Sequence, residues 1–180
     1  MPLDTLRDAL PPYARDLGAN LTALEADTTL TEQQKWGCLL ACASAVGEPT
    51  TLREVAAAAK LGEAAADAAR SAAAIMGMNN VYYRALHLMK NGEYAAMPSR
   101  LRMGVLADPG VEKTDYELWS LAVSAVNGCG LCLDAHDEEL RRRAMPPAAI
   151  QAALRIAAVT TGVAQVLRAE AAARGDAPGR

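Results

Sequence analysis

Thr31-Glu32-Gln33-Gln34-Lys35-Trp36-Gly37 and Thr114-Asp115-Tyr116-Glu117-Leu118-Trp119 decide the fold. In each stretch a threonine is followed three residues on by Gln or Glu and five residues on by Trp. Threonine with Gln or Glu at that spacing is a capping box, in which two side chains satisfy the free amides that open a helix. The two threonines lie 83 residues apart, and so do the two tryptophans. Further on, Gly77-x-x-Asn80-Val81 returns as Gly162-x-x-Gln165-Val166 at a shift of 85. This recurrence predicts two related helical halves, roughly 31–90 and 114–173, each with a buried Trp and a close-packing glycine. Both halves belong to one domain, 1–174, with 175–180 a flexible tail.

The rest of the chain extends this all-α reading. Hydrophobic residues make up 52% of the sequence, but much of that is alanine, and phenylalanine is absent. Alanine favours helix, while the β-branched and aromatic residues that strands prefer are sparse. Apolar spacing and helix stops predict helices over 3–10, 13–26, 31–46, 50–60 and 63–90, the last able to bend at Gly77. A short apolar element follows at 101–107, then helices over 114–127, 129–143 and 147–173.

Charge excludes several classes of function. A net charge of −3, from 18 basic and 21 acidic residues well mixed, leaves no basic stripe to track a phosphate backbone, so nucleic acid is not an expected partner. Arg141-Arg142-Arg143 reads as a solvated helix end, where cations suit the dipole. The start, Met1-Pro2-Leu3-Asp4, lacks a secretory pattern, and the alanine-rich segments are cut by Arg, Glu and Asn, so no membrane span is expected. A cytoplasmic protein is the expectation. In that reducing compartment a Cys-x-x-Cys pair points to catalysis or metal binding and not to a structural bridge.

That pair is Cys129-Gly130-Leu131-Cys132, followed by Leu133-Asp134-Ala135-His136. Helical neighbours fall three and four residues apart, so Cys132 stands one turn from both Cys129 and His136. Cα atoms three apart on a helix are about 5–6 Å from each other, within bridging range of a disulfide. With Asn127-Gly128 as the cap, both thiols lie at the positive start of a helix, which favours thiolate. The composition is that of a redox dithiol with a base attached.

Other readings have to be met. Cys129, Cys132 and His136, with Cys38 or Cys42, would make a zinc set, but structural zinc draws its ligands from loops and knuckles, whereas these three share one helix. Cys38 and Cys42 sit among small apolar residues and read as core, so no metal is expected. By local pattern Glu117 is the third-position acid of the Thr114 capping box, and spacing alone does not bring it to the cysteines. His87 reads as a surface or lining residue, Tyr82 and Tyr83 as core rings at the edge of a pocket, and Met76 and Met78 as adaptable filler.

Glu117, eleven intervening residues, Cys129-x-x-Cys132, three more and then His136 resembles the signature of the alkyl hydroperoxide reductase D proteins, in the carboxymuconolactone decarboxylase-like superfamily. Trp36-Gly37, the block from Ile75 to Arg84, Leu101-Arg102-Met103, Asp108-Pro109-Gly110 and Glu117-Leu118-Trp119-Ser120 also look like family blocks, so the resemblance covers nearly the whole chain. It implies an all-helical subunit, commonly a homotrimer, that passes electrons to a peroxiredoxin, the C component of alkyl hydroperoxide reductase. The electron donor it implies is dihydrolipoamide on a 2-oxoacid dehydrogenase acyltransferase, with no tightly bound cofactor and a weak direct peroxidase activity. Carried over by position, Cys132 would form the mixed disulfide or sulfenic acid. Cys129 would resolve it, and Glu117 and His136 would relay the proton. One departure stands out: well-known members carry a histidine immediately before the second cysteine, and here that residue is Leu131.

The expected function is thus a thiol–disulfide oxidoreductase in antioxidant defence. A non-catalytic adaptor or peroxide sensor switched by the same disulfide is the alternative. A decarboxylase acting on a lactone acid has no need of a cysteine pair, so the pair counts against it.

Overall fold

The computed structural model describes residues 1–175, and every regular element among them is helical. A short helix α1 (Asp4–Asp8) and a 3-10 turn (Pro12–Ala14) lead into α2 (Arg15–Ala26), α3 (Glu32–Val46), α4 (Pro49–Ala58) and the long α5 (Glu63–Leu88). An irregular connection with two 3-10 turns, Tyr94–Ala96 and Gly104–Leu106, reaches α6 (Lys113–Val126), α7 (Gly130–Arg142) and α8 (Pro147–Arg174). Bounds match the sequence expectation closely, and α5 runs through Gly77 as one helix. Of the proposed tail, 176–180 lies outside the described residues.

At the centre α3 packs against α5, α6 and α8, and α6 packs against α5, α7 and α8. Trp36 and Trp119 are both buried. Helices α3 and α6 meet tightly at Gly37: a Cβ there would come within 2.1 Å of the Trp119 ring, so only glycine fits. Trp119 Nε1 donates to the Gln34 carbonyl at 3.2 Å, locking the same crossing. Gly77, expected to pack closely, instead faces open space, and Gly162 meets Leu17 with a notional Cβ 3.0 Å away.

Local chemistry explains most starts and stops. Thr31 forms the full capping box with Gln34, and Gly47 ends α3 in the left-handed conformation. Glu48 caps α4 by accepting from the amides of Thr50 and Thr51. The second capping box is not formed. Helix α6 begins one residue earlier than Thr114, at Lys113, with Glu112 as its N-cap and no side-chain cap bond. Its opening is instead pinned to α3 by Asp115, which accepts from Gln33 Nε2 at 2.7 Å and Gln34 Nε2 at 2.8 Å.

Among the described residues one helix, α8, is long and apolar enough to cross a membrane, contrary to expectation. Half of its apolar stretch is buried within the fold, as befits a core helix packed on α3 and α6. The Arg141–Arg143 run behaves as a helix end, paired with Asp137 and Glu139.

Candidate active site

Helix α6 stops at Asn127, and Gly128 turns the chain with φ +67°, a conformation costly for any residue bearing a side chain. The turn is held from α5. Asn80 donates to Ser124 Oγ and accepts from Asn127 Nδ2, both at 2.9 Å, and Arg84 donates to the Asn127 carbonyl. Cys129 N then bonds the Ser124 carbonyl at 3.1 Å, which fixes where α7 begins.

Cys129, not Asn127 or Gly128, is the N-cap of α7. Its Sγ accepts from the amide of Cys132 at 3.3 Å. The two cysteines are joined in a disulfide, with Cα atoms 5.3 Å apart, so the i, i+3 geometry is met. Cys129 is fully buried, whereas Cys132 keeps a small exposed edge. Both sulfurs stand at the helix start, where free amides stabilise a thiolate once the bridge is opened.

His136, one turn beyond Cys132 on α7, sits between two other helices. Its Nδ1 lies 2.7 Å from Glu117 Oε2 on α6, and its Nε2 lies 3.3 Å from Met76 Sδ on α5. The other Glu117 oxygen, Oε1, is 3.3 Å from Lys113 Nζ. Burial alone pushes the Glu117 carboxyl up, but the hydrogen bond and charge of His136, joined by Lys113, outweigh it and hold the group below its ordinary value of 4.5. An ionised Glu117 therefore accepts Nδ1–H and leaves Nε2 as the ring's exchangeable position.

A cavity of about 310 Å³ opens onto this group, lined by Met76, Asn79, Tyr83, Leu131, Cys132, Ala135 and His136. Its walls are largely apolar. Leu131, the residue before the second cysteine, is an exposed part of that lining. Asn79 is buried there, and its Oδ1 makes no hydrogen bond within the protein.

The structure thus brings Glu117, Cys129, Cys132 and His136 together. It does not bring Cys38 or Cys42 to them: both are fully buried in α3, where burial raises the Cys42 thiol to about 12 and the Cys38 thiol well above its ordinary value. Among the described residues no group of three or more His, Cys, Asp or Glu side chains is arranged to hold a metal ion. His87 is exposed and outside the cavity lining, while Tyr83 lines it with its ring edge-on to Tyr82 at a centroid distance of 5.2 Å. Sequence reasoning missed Lys113, the contact of Met76 with His136, and the Asn80 network. Two consecutive asparagines inside an alanine-rich helix, an unfavoured choice there, were the one available signal.

An all-helical chain with a cysteine bridge at a helix start, a part-buried carboxylate–imidazole pair and an adjoining apolar cavity is a thiol-redox protein. Comparison with known proteins narrows the class. The carboxymuconolactone decarboxylase family matches residues 92–175. The chain is 58% identical over 174 residues to the alkyl hydroperoxide reductase AhpD of Hyphomonas neptunium, covering 96% of this chain and 97% of that protein. It is 56% identical over 172 residues to AhpD of Maricaulis maris, covering 94% and 99% of the two chains. Against AhpD of Caulobacter vibrioides the identity is 53% over 175 residues, with 96% of each covered. The chain belongs to the AhpD family, within the carboxymuconolactone decarboxylase group.

Proposed function

We propose that this chain is a lipoyl-dependent reductase of a peroxiredoxin, with a weak peroxidase activity of its own, and that it works as a cytoplasmic homotrimer. The observation that carries the chemistry is His136, hydrogen-bonded to Glu117 on one side and lining the same cavity as Cys132. The relatives' name supplies the substrate class, an alkyl hydroperoxide, and the route through a peroxiredoxin comes from the family resemblance. Lipoamide and the trimer come from the family resemblance.

In the reduced enzyme His136 takes the Cys132 proton, and Glu117 stabilises the imidazolium that results. The Cys132 thiolate attacks one sulfur of the peroxiredoxin disulfide and releases the other as a thiolate, which is protonated. Cys129 then attacks Cys132 Sγ in the mixed disulfide and expels the second peroxiredoxin thiol. Two electrons leave the dithiol and the Cys129–Cys132 bridge closes. Dihydrolipoamide reopens it by the same exchange in reverse and leaves as the cyclic disulfide. With a hydroperoxide, Cys132 takes the distal oxygen, the alcohol departs, and Cys129 displaces water from the sulfenic acid. Cys132 is assigned the attack because it borders the cavity, whereas Cys129 is sealed.

The test is turnover of an alkyl hydroperoxide coupled through dihydrolipoamide and an AhpC-type peroxiredoxin. Cys132→Ser and Cys129→Ser proteins should keep wild-type helical circular dichroism and lose turnover. Full turnover by either would rule out the dithiol cycle.

A further inference from the structure

Lys113 breaks two local rules. It places a cation at the first residue of α6, the end where the helix dipole favours anions. It also precedes its acidic partner Glu117 by four residues, the less favourable order for a helical pair. A merely solvated lysine would turn away. Instead its Nζ donates to the Leu106 carbonyl in the 3-10 turn Gly104–Leu106 and lies 3.3 Å from Glu117 Oε1. Glu117 is therefore divided, with one oxygen toward a tethered ammonium and the other toward His136.

We propose that Lys113 is a positioning residue for the proton relay. Its ammonium, anchored on the Leu106 carbonyl, keeps Glu117 ionised with Oε2 turned to His136, and so sets the pH at which Cys132 becomes a thiolate. The inference rests on the functional reading above only for its use in turnover.

The surroundings leave this task to Lys113. The charged groups acting on Glu117 are His136 from α7 and Lys113 from its own helix. From α5 the pair meets Met76, which is neutral, and Arg84 on that helix is engaged with the Asn127 carbonyl. Asp115, on the same helix as Glu117, is taken by Gln33 and Gln34 of α3. Tyr116 is hydrogen-bonded to Ser71, and burial, joined by the Glu117 charge, raises its pKa above the ordinary value. On α8, Arg155 pairs with Asp27. In the cavity the other titratable groups beside His136 are the Tyr83 phenol from α5 and, once the bridge is reduced, Cys132.

The test uses reduced protein in a Cys129→Ser background, so that Cys132 is the accessible thiol. Its alkylation rate by iodoacetamide is followed against pH with Lys113 intact and with Lys113→Met, Lys113→Gln and Lys113→Arg. Removing the cation makes the relay more negative, which disfavours the thiolate. The rising limb should move to higher pH by roughly half a unit or more, about threefold slower alkylation on that limb, in the Met and Gln variants. Lys113→Arg should return most of the shift. Ring-proton NMR of His136 should move upward in parallel, with the exposed His87, the other of two histidines, as a fixed reference. Unchanged midpoints in both neutral variants overturn the proposal, as does an Arg variant shifted as far as Met. Neither readout uses lipoamide or peroxiredoxin, so a wild-type protein without turnover counts against the proposed function and not against Lys113.

Discussion

Replacing Glu117 with Gln separates charge from shape. The amide oxygen introduced by Glu117→Gln can still accept from His136 Nδ1, so the 2.7 Å contact survives as a neutral hydrogen bond. A hydrogen bond to a charged partner contributes about 1.5–3 kcal/mol and a neutral one about 0.5–1.5, so the imidazolium loses about 1–1.5 kcal/mol. At about 1.4 kcal/mol per decade that is roughly a tenfold fall in turnover at neutral pH. The fall is larger if the new amide turns its NH₂ to Nδ1 and imposes the wrong tautomer, an error that costs up to about 10⁴ in a serine-protease triad. The assay is the coupled peroxide reduction, run beside circular dichroism to show an intact fold. Wild-type turnover and an unchanged pH profile in Glu117→Gln would refute the relay and return Glu117 to a structural role.

Three further outcomes follow from the packing. Folding lowers the Glu117 pKa, so the native state binds fewer protons than the unfolded chain between the two values. That contribution to stability is whole above the ordinary value of 4.5 and is lost as pH falls through the lower native value. Urea titrations should therefore show the wild type losing more stability than Glu117→Gln across that acid window. Gly37→Ala drives a Cβ into the buried Trp119 ring and should cost roughly 1–3 kcal/mol or more, lowering Tm by about 2–4 °C per kcal/mol. Thr31→Ala should cost about 1 kcal/mol, while Thr114→Ala, which removes no cap bond, should stay within about 0.5 kcal/mol.

The all-helical architecture was legible because alanine-rich periodicity and local caps act over three or four residues. Thr31 with Gln34, Gly47 and Pro49 each do what their neighbours dictate. The errors lie where a distant group outbids a local one. Thr114 and Glu117 match the capping-box pattern, but Glu117 is drawn to His136, 19 residues on, and the helix opens at Lys113 instead. The Cys129–Cys132–His136 spacing announced itself, since three-and-four periodicity is local. The contact of Met76 with His136, across 60 residues, had no local signature, and a methionine in an apolar helix reads as filler. Gly77 and Gly37 show the same limit: which glycine marks a close helix crossing depends on what lies opposite.

The most direct test is to trap the attacking sulfur. Cys129→Ser and Cys132→Ser proteins, reduced and then treated with lipoamide disulfide or an aromatic disulfide, are analysed by intact mass and peptide mapping. A stable mixed disulfide on Cys132 in Cys129→Ser, with Cys129 in the converse variant reacting far more slowly, is the predicted result. An adduct that forms faster on Cys129, or on neither residue while Cys38 and Cys42 react, would contradict the assignment of Cys132 as the nucleophile beside His136.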